Sequence, residues 1–318
     1  MSRIHEALKR AEQERTLPTA PAPVLQEEVE RPAPKTPLVP GPPLVPETPV
    51  MPPDLVNPLP HQEVVIRTGT SEFLRFDDVW NRCAQPAWRL DLERNVFVDP
   101  AVPISVREQF RTLRSRLYQL RDKQPLRTVL ITSSLPAEGK TLVANNLAQA
   151  LARQQNCKVL LIDADLRRPD LHLGLGAPVS PGLSEYLRGE ADEMAVIQRG
   201  LPEYLCFIAS GNETDNPADL LANGRLKALL ETVRSVFDWI ILDSPPTLPV
   251  SDALVLADVC DGVLMVVRAG TEFDSAQKSC HQLRDKNLLG VALNCAEDGP
   301  AYSSYYRDQQ SSTNGLTN

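Results

Sequence analysis

The seven residues Arg127–Ser133 (RTVLITS) lead into Ser134-Leu-Pro-Ala-Glu-Gly139-Lys140-Thr141, and then into a helix-forming stretch that ends near Gln154. A short, continuous apolar run suits a strand buried on both faces. The eight residues Ser134–Thr141 fit the spacing G-x-x-x-x-G-K-[ST], with Ser134 in the first glycine's place. In that arrangement the loop's backbone N–H groups and the helix N-terminus surround phosphate oxygens. Gly139 permits close approach of the chain. Lys140 brings a cation to the terminal phosphates, and Thr141 offers a hydroxyl to Mg²⁺. The candidate nucleotide-binding residues are therefore Ser134, Pro136, Ala137, Glu138, Gly139, Lys140, Thr141 and Leu142.

The same alternation continues along the chain. Expected strands are Lys158–Asp163 (KVLLID), Tyr204–Ala209, Trp239–Asp243 (WIILD), Gly262–Arg268 (GVLMVVR) and Leu289–Asn294. Expected helices are Ser105 to about Arg121, Gly139–Gln154, Asp219–Phe237, Asp252–Ala257 and about Asp274–Lys286. Ser105-x-x-Glu108 matches a capping box for the first helix. Short apolar strands alternating with helices predict a doubly wound α/β fold, its mainly parallel sheet covered by helices on both faces.

Ligands in such a sheet sit at the C-terminal ends of the strands. Two of those ends carry carboxylates, in V-L-L-I-D163-A-D165 and I-I-L-D243-S-P-P. An unpaired buried carboxylate is costly, and a bound Mg²⁺ is a sufficient reason for one. Two carboxylates with Mg²⁺ suit phosphoryl transfer to a hydroxyl: one holds the metal, the other accepts the proton or orients the acceptor.

Outside this region the composition changes. Of the 29 prolines, 15 lie between Pro18 and Pro60. The chain divides into an amphipathic docking helix (1–15), a disordered Pro-rich linker (16–60), a lead-in (61–104), the nucleotide-binding domain (105–298) and a flexible tail (299–318). The linker favours extended polyproline II and acts as a spacer. A helix as short as residues 1–15 needs a docking partner, here a protein rather than lipid. The formal net charge of −8 excludes a general nucleic-acid binder. The six cysteines form no C-x-x-C pair and are expected to be reduced, buried hydrophobes. No apolar run is long enough to span a bilayer, and the charged N-terminus is no secretory signal.

Taken together, Ser134–Thr141, V-L-L-I-D-A-D-L-R-R-P and I-I-L-D-S-P-P resemble the Walker A, A′ and B motifs of the bacterial tyrosine kinases (BY-kinases) of exopolysaccharide and capsule biosynthesis. These are P-loop proteins related to the MinD/ParA ATPases. The resemblance covers roughly residues 100–306 and includes Asn216-Pro-Ala-Asp-Leu-Leu221. It implies ATP and Mg²⁺ as cofactors. It implies that Lys140 binds phosphates, that Thr141 and Asp243 organise Mg²⁺, that Asp163 is the base, and that Asp165 supports metal or acceptor. It places Asn294 against adenine.

Two further features accompany the resemblance. Glu108, Arg111 and Arg114 share one helical stripe, beside an apolar stripe of Phe110, Leu113, Leu117 and Leu120. In the family this E-x-x-R-x-x-R motif joins domains into rings. Tyr302, Tyr305 and Tyr306 are three of the chain's six tyrosines. The family's C-terminal tyrosines are phosphoacceptors, modified by a neighbouring subunit. The resemblance also implies protein tyrosine substrates and a separate membrane chain-length-determinant or adaptor protein. That partner would recruit a cytoplasmic kinase to the inner face of the plasma membrane. Two alternatives stay open at this point. One is a MinD/ParA-like ATPase, although Leu135 stands where that group carries a second lysine. The other is a non-catalytic ATP-binding regulator, since Ser134 and Ala137 replace loop glycines.

Overall fold

Neighbouring residues on the central strands bury on opposite sides of one sheet. Leu130, Leu160, Ile162, Ile240 and Leu242 belong to one apolar cluster. Val129, Ile131, Val159, Leu161, Trp239 and Ile241 belong to the other. That is why these strands read as unbroken apolar runs.

The computed structural model describes residues 75–200 and 204–296. The expected helix at 1–15, the linker at 16–60 and the tail at 299–318 lie outside the described residues. Helix α1 (Phe76–Arg82) and a 3-10 turn (Leu92–Arg94) precede α2 (Ile104–Arg121), β1 (Thr128–Ser133), α3 (Lys140–Ala152) and β2 (Val159–Asp163). Three short helices come next, α4 (Leu171–Leu175), α5 (Leu183–Arg188) and α6 (Glu193–Val196), then β3 (Ile197–Arg199) and β4 (Leu205–Ile208). The order ends with α7 (Pro217–Ala222), α8 (Arg225–Val233), β5 (Trp239–Asp243), α9 (Asp252–Ala257), β6 (Gly262–Arg268), α10 (Phe273–Gln282) and β7 (Leu288–Asn294).

The sheet runs β3-β4-β2-β5-β1-β6-β7. Every pairing is parallel except β3 with β4. Helices α2, α3 and α4 supply side chains to one cluster, and α1, α5, α7, α8 and α9 to the other. The C-terminal ends of β2, β5 and β1 are adjacent, so the loop after β1 meets both acidic strand ends. Asp163 and Asp243 are register partners across β2 and β5.

Several expectations need correcting. The capping box at Ser105 does not form: α2 begins at Ile104, its N-cap is Pro103, and no side chain caps it. Ser105 is therefore already inside the first turn, and Glu108 pairs instead with Arg111. The single helix expected over Asp219–Phe237 is two helices. Gly224 breaks it with φ +81°, a backbone conformation that glycine adopts without a Cβ penalty. Helix α10 ends at Gln282, before Lys286. Cys83, Cys157 and Cys206 are buried, but Cys295 is exposed.

The described part of the lead-in, from residue 75 on, packs on the core. Phe76 and Val79 are buried, and Trp88 donates its indole N–H to Gln198 Oε1 at 3.2 Å. Farther on, residues 91–96 form a strap across α3. The fully buried Asn95 donates to the carbonyls of Asp91 and Gly174 at 2.6 and 2.7 Å. Its Oδ1 accepts from Asn145 and Gln149 at 2.9 and 2.5 Å. Asn146 Oδ1 accepts the N–H of Val96 at 2.9 Å. Removing Asn95 strands several buried polar groups, each costing about 1–3 kcal/mol. The Asn95→Ala protein is expected to lose about 3 kcal/mol. Urea denaturation of the two proteins checks this, with a fall in midpoint at unchanged slope.

Candidate active site

The loop after β1 turns on two residues of positive φ. Gly139 has φ +92° and forms the N-cap of α3. Ala137 has φ +64°, a left-handed conformation that strains an L side chain. Glu138 is 3% exposed and folds the loop from within. Its Oε2 accepts the N–H of Leu135 at 2.7 Å, and its Oε1 accepts the hydroxyl of Thr271 at 2.7 Å. Replacing Ala137 by glycine should relieve the strain, offset in part by a freer unfolded chain. A net gain of about 0.5–1 kcal/mol is expected, read as a rise in Tm of about 1–3 °C.

A cavity of about 810 Å³ opens over this loop. Pro136, Ala137, Gly139, Lys140, Thr141 and Leu142 line it, with Asp165 opposite. Lys140 Nζ lies 3.0 Å from Asp165 Oδ2, 3.8 Å from Asp243 Oδ2 and 3.2 Å from Thr141 Oγ1. Burial opposes the lysine's charge, but Asp243 and Asp165 outweigh it and raise its pKa. Thr141 donates its hydroxyl to Asp243 Oδ2 at 2.7 Å. Burial pushes the Asp243 carboxyl up to about 6, against the pull of Lys140. The other oxygen, Asp243 Oδ1, is buried with no hydrogen-bond partner. A hydroxyl, an acidic oxygen left open and a second carboxylate nearby form a hard-oxygen donor set of the kind that holds Mg²⁺ beside phosphates.

The structure separates the two aspartates of the A′ stretch, because β2 ends at Asp163 and the chain turns before Asp165. Asp165 faces the cavity. Asp163 is fully buried behind it and is not among the lining residues. Its two oxygens accept the N–H groups of Asp165 and Leu171, each at 3.2 Å. Burial, with Asp243 and Asp165 beside it, holds the Asp163 carboxyl well above the usual range. The expected base is thus set back from the cavity, where it anchors the turn that presents Asp165.

Three residues expected on the nucleotide do not line the cavity. Ser134 is fully buried, and its hydroxyl has no partner. Glu138 is turned into the loop. Asn294, expected against adenine, donates its amide N–H to the carbonyl of Glu138 at 3.0 Å and so braces the loop from β7. A Cβ on Gly139 would displace that amide, and the φ of +92° itself favours glycine here. On α2, Arg111 is exposed, whereas Arg114 donates to the carbonyl of Ala150 at 2.9 Å, inside the same chain.

Sequence reasoning missed the strap. Arg94 and Asn145 both line the cavity, and Arg94 pairs with Asp170 at 2.7 Å. The available signal was Asn145, Asn146 and Gln149 inside a helix that from Leu142 on is otherwise leucine, valine and alanine. It also missed the bidentate pair of Arg167 with the buried Asp252, at 2.7 and 3.0 Å.

No family model matches the chain. It is 35% identical over 206 residues to the tyrosine-protein kinase YwqD of Bacillus subtilis, covering 64% of this chain and 86% of that protein. It is 34% identical over 209 residues to the putative tyrosine-protein kinase EpsB of Ralstonia nicotianae, covering 65% of this chain but only 27% of that longer protein. Among solved structures, the kinase domain of the Escherichia coli tyrosine kinase ETK superposes with a TM-score of 0.57 at 34% identity, covering 60% of this chain and 76% of that one.

Proposed function

This chain belongs to the bacterial tyrosine kinases, and from that premise we propose that it transfers the γ-phosphoryl group of ATP to tyrosine hydroxyls. The first acceptors in this reading are Tyr302, Tyr305 and Tyr306 of a neighbouring copy, and other protein tyrosines come after. One observation supports it above the rest. Lys140, Thr141 and Asp165 line one cavity, and Asp243, fully buried against Thr141 and Lys140, keeps one oxygen without a hydrogen-bond partner.

The chain's own residues then divide the work. Backbone N–H groups from Ala137 to Thr141 cradle the phosphates, and the N-terminus of α3 adds its dipole. Lys140 neutralises charge that builds on the transferred group. Thr141 and Asp243, with Asp165 nearby, would hold Mg²⁺, which when bound screens the phosphate oxygens. Asp165, facing the cavity, orients the incoming tyrosine hydroxyl and takes its proton as the bond to phosphorus forms and the bond to ADP breaks. Asp163 fixes the turn that carries Asp165. Catalysis is mainly positioning and charge stabilisation.

The same reading covers regulation of exopolysaccharide or capsule polymerisation and export. It includes rings formed through Glu108, Arg111 and Arg114, and a separate membrane adaptor that recruits the kinase to the cytoplasmic face. Among the described residues no helix is long and apolar enough to cross a membrane. Incubation with Mg·ATP and a candidate adaptor, read by phosphotyrosine mass spectrometry, tests the reaction. Label on Tyr302, Tyr305 or Tyr306 is expected. ATP hydrolysis without any label would replace the kinase reading with a plain ATPase.

A further inference from the structure

The cavity has a cationic outer rim. Arg94 reaches it from the strap, and Arg167 and Arg168 from the turn after β2. Two of these three are already engaged. Arg94 pairs with Asp170 and Asp91 at 2.7 and 3.2 Å. Arg167 grips Asp252, which is fully buried, through both arms of its fork. The Arg168 side chain is exposed and has no carboxylate partner among the described residues. Its backbone N–H donates to Asp165 Oδ1 at 3.0 Å, so the side chain starts beside the carboxylate that faces the phosphate loop. A free guanidinium fork is the shape that carboxylates and phosphates fit best.

The chain itself carries a matching anion. Glu297 and Asp298 precede Tyr302 by five and four positions, and Asp308 follows Tyr306 by two. With Arg307 the stretch from 296 to 308 has a formal charge of −2. Four or five extended residues span about 13–17 Å, enough for the acids to rest on a rim while the tyrosine enters the cavity. Each tyrosine already modified adds about −1.5 to −2. On a chain of net charge −8, approach of that acidic segment to a second copy is opposed overall and favoured locally where a cation is free to meet it. Resting on the kinase reading above, we infer that Arg168, flanked by Arg94 and Arg167, is the specificity element that receives the acidic residues beside the acceptor tyrosine of a second copy of this chain.

Labelling between two full-length chains tests this. The donor chain carries Tyr302→Phe, Tyr305→Phe and Tyr306→Phe, and the acceptor chain carries Lys140→Met. In the donor, Arg168→Ala is expected to lower kcat/KM for the acceptor about fivefold, through KM, while KM for ATP moves less than about twofold. Glu297→Gln with Asp298→Asn in the acceptor should give the same loss, and combining both sides should add nothing. Donor Arg168→Glu with acceptor Glu297→Lys and Asp298→Lys should recover most of the rate. Arg168 is exposed, so these variants fold; Arg167 is avoided because its loss would strand the buried Asp252. An unchanged kcat/KM, losses that multiply independently, or a rise in KM for ATP would each overturn the inference, the last by giving Arg168 to the nucleotide. No label from a donor with native Arg168 would instead remove the kinase reading, and this recognition with it.

Discussion

Lys140→Met should lower phosphoryl transfer by at least about 10³-fold and also weaken the nucleotide-free protein. The two effects share one origin. The lysine is the cation within 4 Å of two buried carboxylates, 3.0 Å from Asp165 and 3.8 Å from Asp243. Removing one partner of a buried ion pair costs about 3–5 kcal/mol, because the other charge stays behind. A fall in Tm of about 5–15 °C at pH 8 is expected. The fall should shrink near pH 5, where the Asp243 carboxyl, pushed up to about 6 by burial, is already protonated. Calorimetric scans at the two pH values check the stability arm, and phosphotyrosine mass spectrometry checks the transfer arm. Equal destabilisation at both values would show that the lysine does not compensate this acid cluster.

The second large effect has opposite signs in function and stability. Asp243→Asn should lower transfer about 10²- to 10³-fold, since it removes the open carboxylate oxygen. The same change should stabilise the nucleotide-free protein at pH 8. Asp243 ionises at its ordinary value near 3.8 in the unfolded chain but only at about 6 in the fold. Between those values the folded chain holds the extra proton, so stability falls as pH rises from about 4 to about 6. Roughly two pH units correspond to about 3 kcal/mol of lost stability. The asparagine variant lacks that loss. Its Tm should match the native protein near pH 4 and exceed it by several degrees at pH 8. A lower Tm than native at pH 8 would contradict this account of the acid cluster.

The strands were legible wherever an unbroken apolar run met a turn. Trp239–Asp243 and Gly262–Arg268 have the bounds read from sequence, because both faces of each strand are buried. Helices α4, α5 and α6 and strand β3 were not legible. Each has three to six residues, and Ile197-Gln-Arg199 carries no apolar run. Packing and the antiparallel bonds of β3 to β4 fix them, and a local pattern holds no trace of either. The loop residues of the site could be read because phosphate chemistry fixes their spacing. The strap could not, because Asn95 finds Asn145 and Gln149 some fifty positions away. Asn294 was read as a nucleotide contact for a related reason: its place at the end of β7 was visible, whereas its bond to the carbonyl of Glu138 depends on a loop 156 positions away.

Calorimetric titration of the folded full-length chain with ADP, in the presence and absence of Mg²⁺, addresses the central claim most directly. One saturable site per chain is expected, with affinity that drops on omitting Mg²⁺ and is lost in Lys140→Met. A native chain that takes up no nucleotide under either condition, or takes it up unchanged in Lys140→Met, would contradict the placement of the active site at the end of β1.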